Sequence, residues 1–211
     1  MAVVGAGLSG LFCARTLADH GLQVTVYEKS RGVGGRMATR RTKEGLQFDH
    51  GAQYFTVRDR RFRRYVASWE QQGLAAPWKG PFGVLENGRC HQKDGPPRYV
   101  ATPKQNAICG HLAQGLEVQT ECRVAPLERT GNRWRLTTDE GDALGTHDAA
   151  VVSAPAPQTA ELLAAAPGLA RTATAIKMDV CWAVMIAVKR SLELPVAGAF
   201  VHGSPLSWIA C

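Results

Sequence analysis

The sequence has no uncharged apolar run near the roughly 18 residues that cross a bilayer. Its richest stretch, residues 180–188, is nine residues long, so no membrane-spanning helix is expected. The first fourteen residues carry no charge, but no basic segment precedes them, and no targeting signal is expected. Cysteine occurs at Cys13, Cys90, Cys109, Cys122, Cys181 and Cys211, with no C-x-x-C pair and no paired histidine spacing. That pattern argues against a metal site and for reduced thiols in a cytoplasmic protein. RNP, zinc-finger and helix-turn-helix patterns are missing, so nucleic acid is not an expected partner. There is no internal repeat. What remains is an ordinary globular composition, 45% apolar and 20% charged, which excludes disorder, collagen and a coiled coil.

Acidic residues are scarce in one place. Residues 31–64 hold ten basic side chains against three acids, and the rest of the chain carries fifteen of each sign. The excess of +7 therefore belongs to one stretch, which points to a local anionic ligand or a basic helix face.

The order of textures predicts an α/β fold. Ala2, Val3 and Val4 read as a short buried strand that runs into Gly5-Ala6-Gly7-Leu8-Ser9-Gly10. Leu8, Leu11, Phe12, Ala14, Leu17 and Ala18 have helical spacing until Gly21, and residues 22–28 alternate as a strand. Strand, glycine turn, helix and strand within 28 residues open a doubly wound sheet. Further along, a helix is expected over 59–72 with Asp59 as its cap, and a hairpin with Asn87-Gly88 at its turn. A helix is expected over 103–114 and strands over 117–119 and 149–154. A meander is expected over 122–147, an Ala-rich helix over 158–166, and a long strand over 178–189. Extended segments are expected over 199–201 and 206–209.

A lone G-x-G-x-x-G is weak evidence, but between a strand and a helix it has a mechanism. Gly5 permits a tight turn, Gly7 lets the backbone approach a pyrophosphate, and Gly10 lets helix and strand pack closely. Glu28 ends the second strand eighteen residues after Gly10, where an acid accepts hydrogen bonds from ribose hydroxyls. Then follow Lys29, Gly34, Gly35 and Arg36, a second bare-backbone turn with a planar, permanently charged side chain.

The run from Glu28 to Arg36 resembles the E-K-x-x-x-x-G-G-R signature of flavin-containing amine oxidases and their relatives. Phe48-Asp49-His50-Gly51-Ala52-Gln53-Tyr54-Phe55 resembles the D-x-G-A-Q-Y-F segment of renalase-type flavoproteins, and similarity to bacterial members continues over residues 58–62, 151–158, 162–167 and 176–184. This resemblance implies FAD as cofactor, with Ser9, Lys29, Gly35, Arg36, Gln53 and Tyr54 among its contacts, the last two near the isoalloxazine ring, and Val124 meeting the adenine end through its backbone. It implies a Rossmann-like FAD-binding domain over 1–75 and 98–160, with a discontinuous α+β substrate subdomain, mainly antiparallel sheet, over 76–97 and 161–211. The implied activity is oxidation of dihydro isomers of NAD(P) to NAD(P)⁺, with molecular oxygen reduced to hydrogen peroxide. Alternatives are a flavin amine oxidase acting on a small amine, a non-catalytic dinucleotide-binding fragment, and an NAD(P) enzyme without flavin, which the second glycine pair disfavours. The resemblance also implies that the chain stops short of the family's C-terminal portion. No catalytic acid, base or nucleophile is identified. Trp78, Trp182 and Trp208 read as packing residues, with Trp208 able to line a substrate pocket.

Overall fold

A computed structural model describes residues 1–190 and 192–211. The chain divides into two compact units, one from Met1–Thr39 and Asn106–Ala183, the other from Arg40–Gln105 and Val184–Cys211.

The first unit is built on four parallel strands in the order Glu117–Gln119, Thr25–Tyr27, Ala2–Val4, Ala150–Val152. Val3 pairs with Val26 on one side and Val151 on the other. Ala2, Val3 and Val4 are all buried, which explains their unbroken apolar run, because a central parallel strand is covered on both faces. The helix Leu8–Asp19 buries Gly10, Leu11 and Ala14. It stops where the sequence predicts: Gly21 takes φ +80, its N–H donates to the Ala18 carbonyl at 2.8 Å, and Leu22 donates to Leu17 at 3.1 Å. These two bonds satisfy carbonyls that a helix end otherwise leaves without donors. The Arg15 guanidinium reaches across to the Leu112 carbonyl at 3.2 Å, capping the end of the helix Ala107–Ala113. Antiparallel strands Glu128–Thr130, Arg133–Thr137 and Ala143–His147 form the expected meander. Leu127 and Leu136 from this region pack into one core with Val4, Tyr27, Cys122 and Val124.

Two expectations differ from the structure. The Ala-rich stretch makes a helix at Ala156–Leu162 and then a second at Pro167–Thr174, with Pro167 in its first turn, where its missing N–H costs nothing. The long strand expected over 178–189 does not form, and Val180 and Trp182 are 82% and 89% exposed. β-propensity mostly reports packing against neighbouring strands, and no strand among the described residues pairs with this segment.

The second unit holds small sheets. Phe55–Thr56, Arg98–Ala101 and Ala75–Pro77 form one antiparallel sheet. Trp208–Ala210, Gly198–Val201, Phe82–Glu86 and Arg89–Gln92 form another, in which Gly198–Val201 lies parallel to Phe82–Glu86. The predicted hairpin is present: Asn87 and Gly88 adopt φ 49 and 72 between its strands, the conformation of a tight turn that matches strand twist. The helix Arg60–Gln71 is capped by the Asp59 carboxylate, which accepts from the Arg61 N–H at 2.7 Å, and it buries Val66 and Trp69. Its arginines Arg60, Arg61, Arg63 and Arg64 are all exposed.

Candidate functional site: two glycine turns and an aromatic cluster

In the first unit the two glycine turns lie against each other. The Gly34 N–H donates to the Ala6 carbonyl at 2.9 Å, and Gly7 and Gly34 form a parallel bridge. A Cβ on Gly35 would lie 3.1 Å from the Gly7 Cα, and one on Gly10 would lie 2.0 Å from the Gly5 carbonyl oxygen. Close approach of backbone requires glycine at Gly10, and at Gly35 a φ of +53 beside the Gly7 backbone favours it; the result is a bare cradle at the start of the helix Leu8–Asp19. Gly7 caps that helix without any side-chain hydrogen bond. The first-turn N–H groups beyond Leu8, that of Ser9 among them, thus keep their donors and the positive end of the helix dipole for an anion.

Glu28 is buried at the end of its strand. One carboxylate oxygen accepts from the Ala6 N–H at 2.8 Å and the other from Ser30 at 2.8 Å. A carboxylate offers about four acceptor positions, so these bonds orient it and leave lone pairs for ribose hydroxyls. Beside it, Cys122 donates to the Glu28 carbonyl at 2.9 Å and Glu121 to Ser30 at 3.0 Å, which brings residues 121–124 alongside. Val124 bridges Thr138, but the bonds there belong to Ala125 and Arg123. The Val124 N–H and carbonyl therefore face away from that pair. Lys29 is exposed and donates to the Gln158 side chain at 3.2 Å. Arg36 is also exposed. Cys109 Sγ lies 4.0 Å from the Gly34 carbonyl, and burial pushes its thiol up to about 11, which makes it a packing group and not a nucleophile. Gly5, Gly7, Ser9, Gly10, Glu28, Lys29, Gly35, Arg36 and Val124 thus share one unit. The sequence places Gly34 in the second glycine pair but gives it and Ala6 no contact of their own, and it is their backbone that ties the two turns together. Their signal was present as positions inside both glycine motifs.

Gln53 and Tyr54 belong to the second unit. There the Gln53 side-chain oxygen accepts the indole N–H of Trp208. The Tyr54 ring lies 5.8 Å from Trp78 and 5.5 Å from Trp208. Trp78 and Trp208 are therefore clustered in this unit, whereas Trp182 is exposed.

The residues present fit the diphosphate and ribose of a dinucleotide: a cradle that any side chain would fill, unused backbone donors, and a buried, oriented acid. Comparison with known proteins agrees. Residues 3–69 match the profile of a family described as an NAD(P)-binding Rossmann-like domain. A 4,4'-diapophytoene desaturase (4,4'-diaponeurosporene-forming) of Staphylococcus haemolyticus (strain JCSC1435) is 45% identical over 73 residues, 35% of this chain and 14% of that protein. Its counterpart in Staphylococcus aureus (strain Newman) is 47% identical over 51 residues, 24% of this chain and 10% of that one. The chain's matches thus span about a seventh or less of these relatives' length. A crystal structure of an Exiguobacterium sp. 255-15 protein assigned as a protoporphyrinogen oxidase superposes with a TM-score of 0.69 at 14% identity, covering 98% of this chain and 71% of that one. The expected α/β fold with a Rossmann-like domain is borne out. No helix among the described residues is long and apolar enough to cross a membrane.

Proposed function

We propose that this chain is part of an FAD-dependent oxidoreductase of renalase type, which oxidises dihydro isomers of NAD(P) to NAD(P)⁺. The observation that carries the reading is the docking of the Gly34-Gly35 turn on the Gly5–Gly10 turn beside buried Glu28, together with the Gln53-Tyr54 segment. In this reading the N–H groups at Gly7–Gly10 bind the diphosphate, Glu28 holds ribose hydroxyls, and the Val124 backbone meets the adenine. Gly35, with no side chain, and Arg36, with its planar charge, serve the diphosphate and flavin end, with Lys29 nearby. The second unit receives the substrate.

The chemistry supplied by bound FAD is two-electron oxidation, with hydride removed from the substrate and oxygen reduced to hydrogen peroxide. The protein's part is to orient and enclose, and hydride transfer of this kind requires no acid or base from the chain. Six free cysteines, two of them buried, fit a reducing cytoplasm. The test is to purify the whole protein, record flavin absorbance, and measure peroxide release with 1,2- and 1,6-dihydro isomers of NAD(P)H and with small amines. Peroxide from the isomers alone is the expected result. Peroxide from amines alone would assign an amine oxidase, and a protein without flavin would overturn the cofactor placement.

A further inference from the structure

We infer that Arg98, with Tyr54, Trp78 and Trp208, forms a recognition site for a planar ring that carries an anionic group, a carboxylate or a phosphate. This deepens the proposed function, since it rests on the second unit receiving the substrate.

Arg98 lies on the strand Arg98–Ala101, paired with Thr56. Its guanidinium carbon sits 4.0 Å from the Phe82 ring centroid and 5.2 Å from that of Tyr54. Such contacts support a cation weakly, but they satisfy none of its N–H donors. Arg98 Nε is buried with no hydrogen-bond partner, and no carboxylate among the described residues pairs with Arg98. A partly desolvated guanidinium without a counter-ion is costly and uncommon in a finished structure. Its fork of donors matches a carboxylate or phosphate.

The surroundings define the rest of the ligand. Tyr54, Trp78 and Trp208 lie within 5.5 to 6.4 Å of one another, centroid to centroid. All three rings are partly accessible, so an incoming planar group can reach aromatic surface there. The Gln53 side chain fixes the Trp208 indole, and Phe200 packs on it at 4.9 Å, so the wall is held in place before any ligand arrives. The unit as a whole is strongly basic, fifteen basic residues against seven acidic, which draws an anion toward it.

The test titrates the whole protein with nicotinamide, nicotinate and nicotinamide mononucleotide, read by tryptophan fluorescence and, separately, by flavin absorbance. These probes share a ring and differ in having no anion, a ring carboxylate, or a phosphate. The expected result is saturable binding of at least one anionic probe about tenfold or more tighter than nicotinamide, and which probe wins identifies the anion's source. Arg98→Gln should bring the anionic probes down to the nicotinamide level, and Arg98→Lys, keeping charge but losing the fork, should bind less tightly than the parent. Arg129→Gln removes a comparable arginine–Trp134 contact in the first unit and should leave probe binding unchanged. Equal affinity for all three probes, no binding by any, or full anion affinity in Arg98→Gln would overturn the inference. A colourless protein that still prefers the anionic probe would sink the oxidoreductase reading while leaving this site standing.

Discussion

The two units reach their ligand chemistry by opposite means. The first carries ten basic residues against eleven acidic, the second fifteen against seven, so all the excess positive charge lies in the second. In the first, the buried acid Glu28 has both oxygens engaged by backbone N–H groups. In the second lie all the buried side-chain polar atoms without partners among the described residues: His50 Nδ1, Arg98 Nε and Gln105 Nε2. A nucleotide cradle made of backbone needs no net charge, because helix N–H groups and close glycine contacts are supplied by geometry.

If the first unit depends on backbone approach, its glycines should be the most sensitive positions. Gly10→Ala places a Cβ 2.0 Å from a backbone oxygen that cannot swing aside. The expected loss is upwards of about 3 kcal/mol, with flavin lost as well. Thermal denaturation and flavin content measure both, and a variant of parental stability would refute the packing described for this turn.

Glu28→Ala comes next. It strips partners from the Ala6 and Ser30 N–H groups, at a cost of about 2–6 kcal/mol at roughly 1–3 kcal/mol per buried unsatisfied donor. Glu28→Gln keeps one acceptor oxygen and should fall between parent and alanine in urea unfolding.

Arg36→Ala separates binding from folding. The side chain is exposed, so stability should hold, while loss of a charge-assisted contact weakens flavin affinity by about 1.5–3 kcal/mol, roughly ten- to hundredfold. Arg61→Ala, on the exposed face of its helix and paired with Asp59, should leave flavin content as it is. Flavin-to-protein ratios that change equally in both variants would show that charge alone, wherever it lies, decides cofactor affinity.

The smallest expected effect is at Asp59. Hydrogen bonds from the Arg61 side chain and backbone hold its carboxyl at about 2, below the ordinary 3.8. A depressed value means the cap's contribution is complete above the ordinary value and is lost as pH falls toward about 2. Asp59→Asn can still cap but does not titrate there. An acid titration followed by circular dichroism should therefore show a helix loss in the parent that the variant lacks.

Local chemistry was legible without a fold. The spacing of Gly5, Gly7 and Gly10, the stop at Gly21, the Asp59 cap and the Asn87-Gly88 turn are each set within a few residues by φ/ψ preference and hydrogen bonding, so the sequence by itself determined them. The same holds for Glu28 at a strand end. The segment 178–189 was misread for the complementary reason: its apolar, β-branched residues state a preference, but a strand exists only when another strand supplies its ladder. Only the tertiary structure decided that Gly34 docks on Ala6, that residues 121–124 run beside Glu28, that Arg98 lies over the Tyr54 and Phe82 rings without a counter-ion, and that Tyr54 meets Trp208. Those contacts join residues up to 154 positions apart, as between Tyr54 and Trp208. Nothing in local propensity selects such a partner, because the energy that selects it comes from burial and packing of the folded chain.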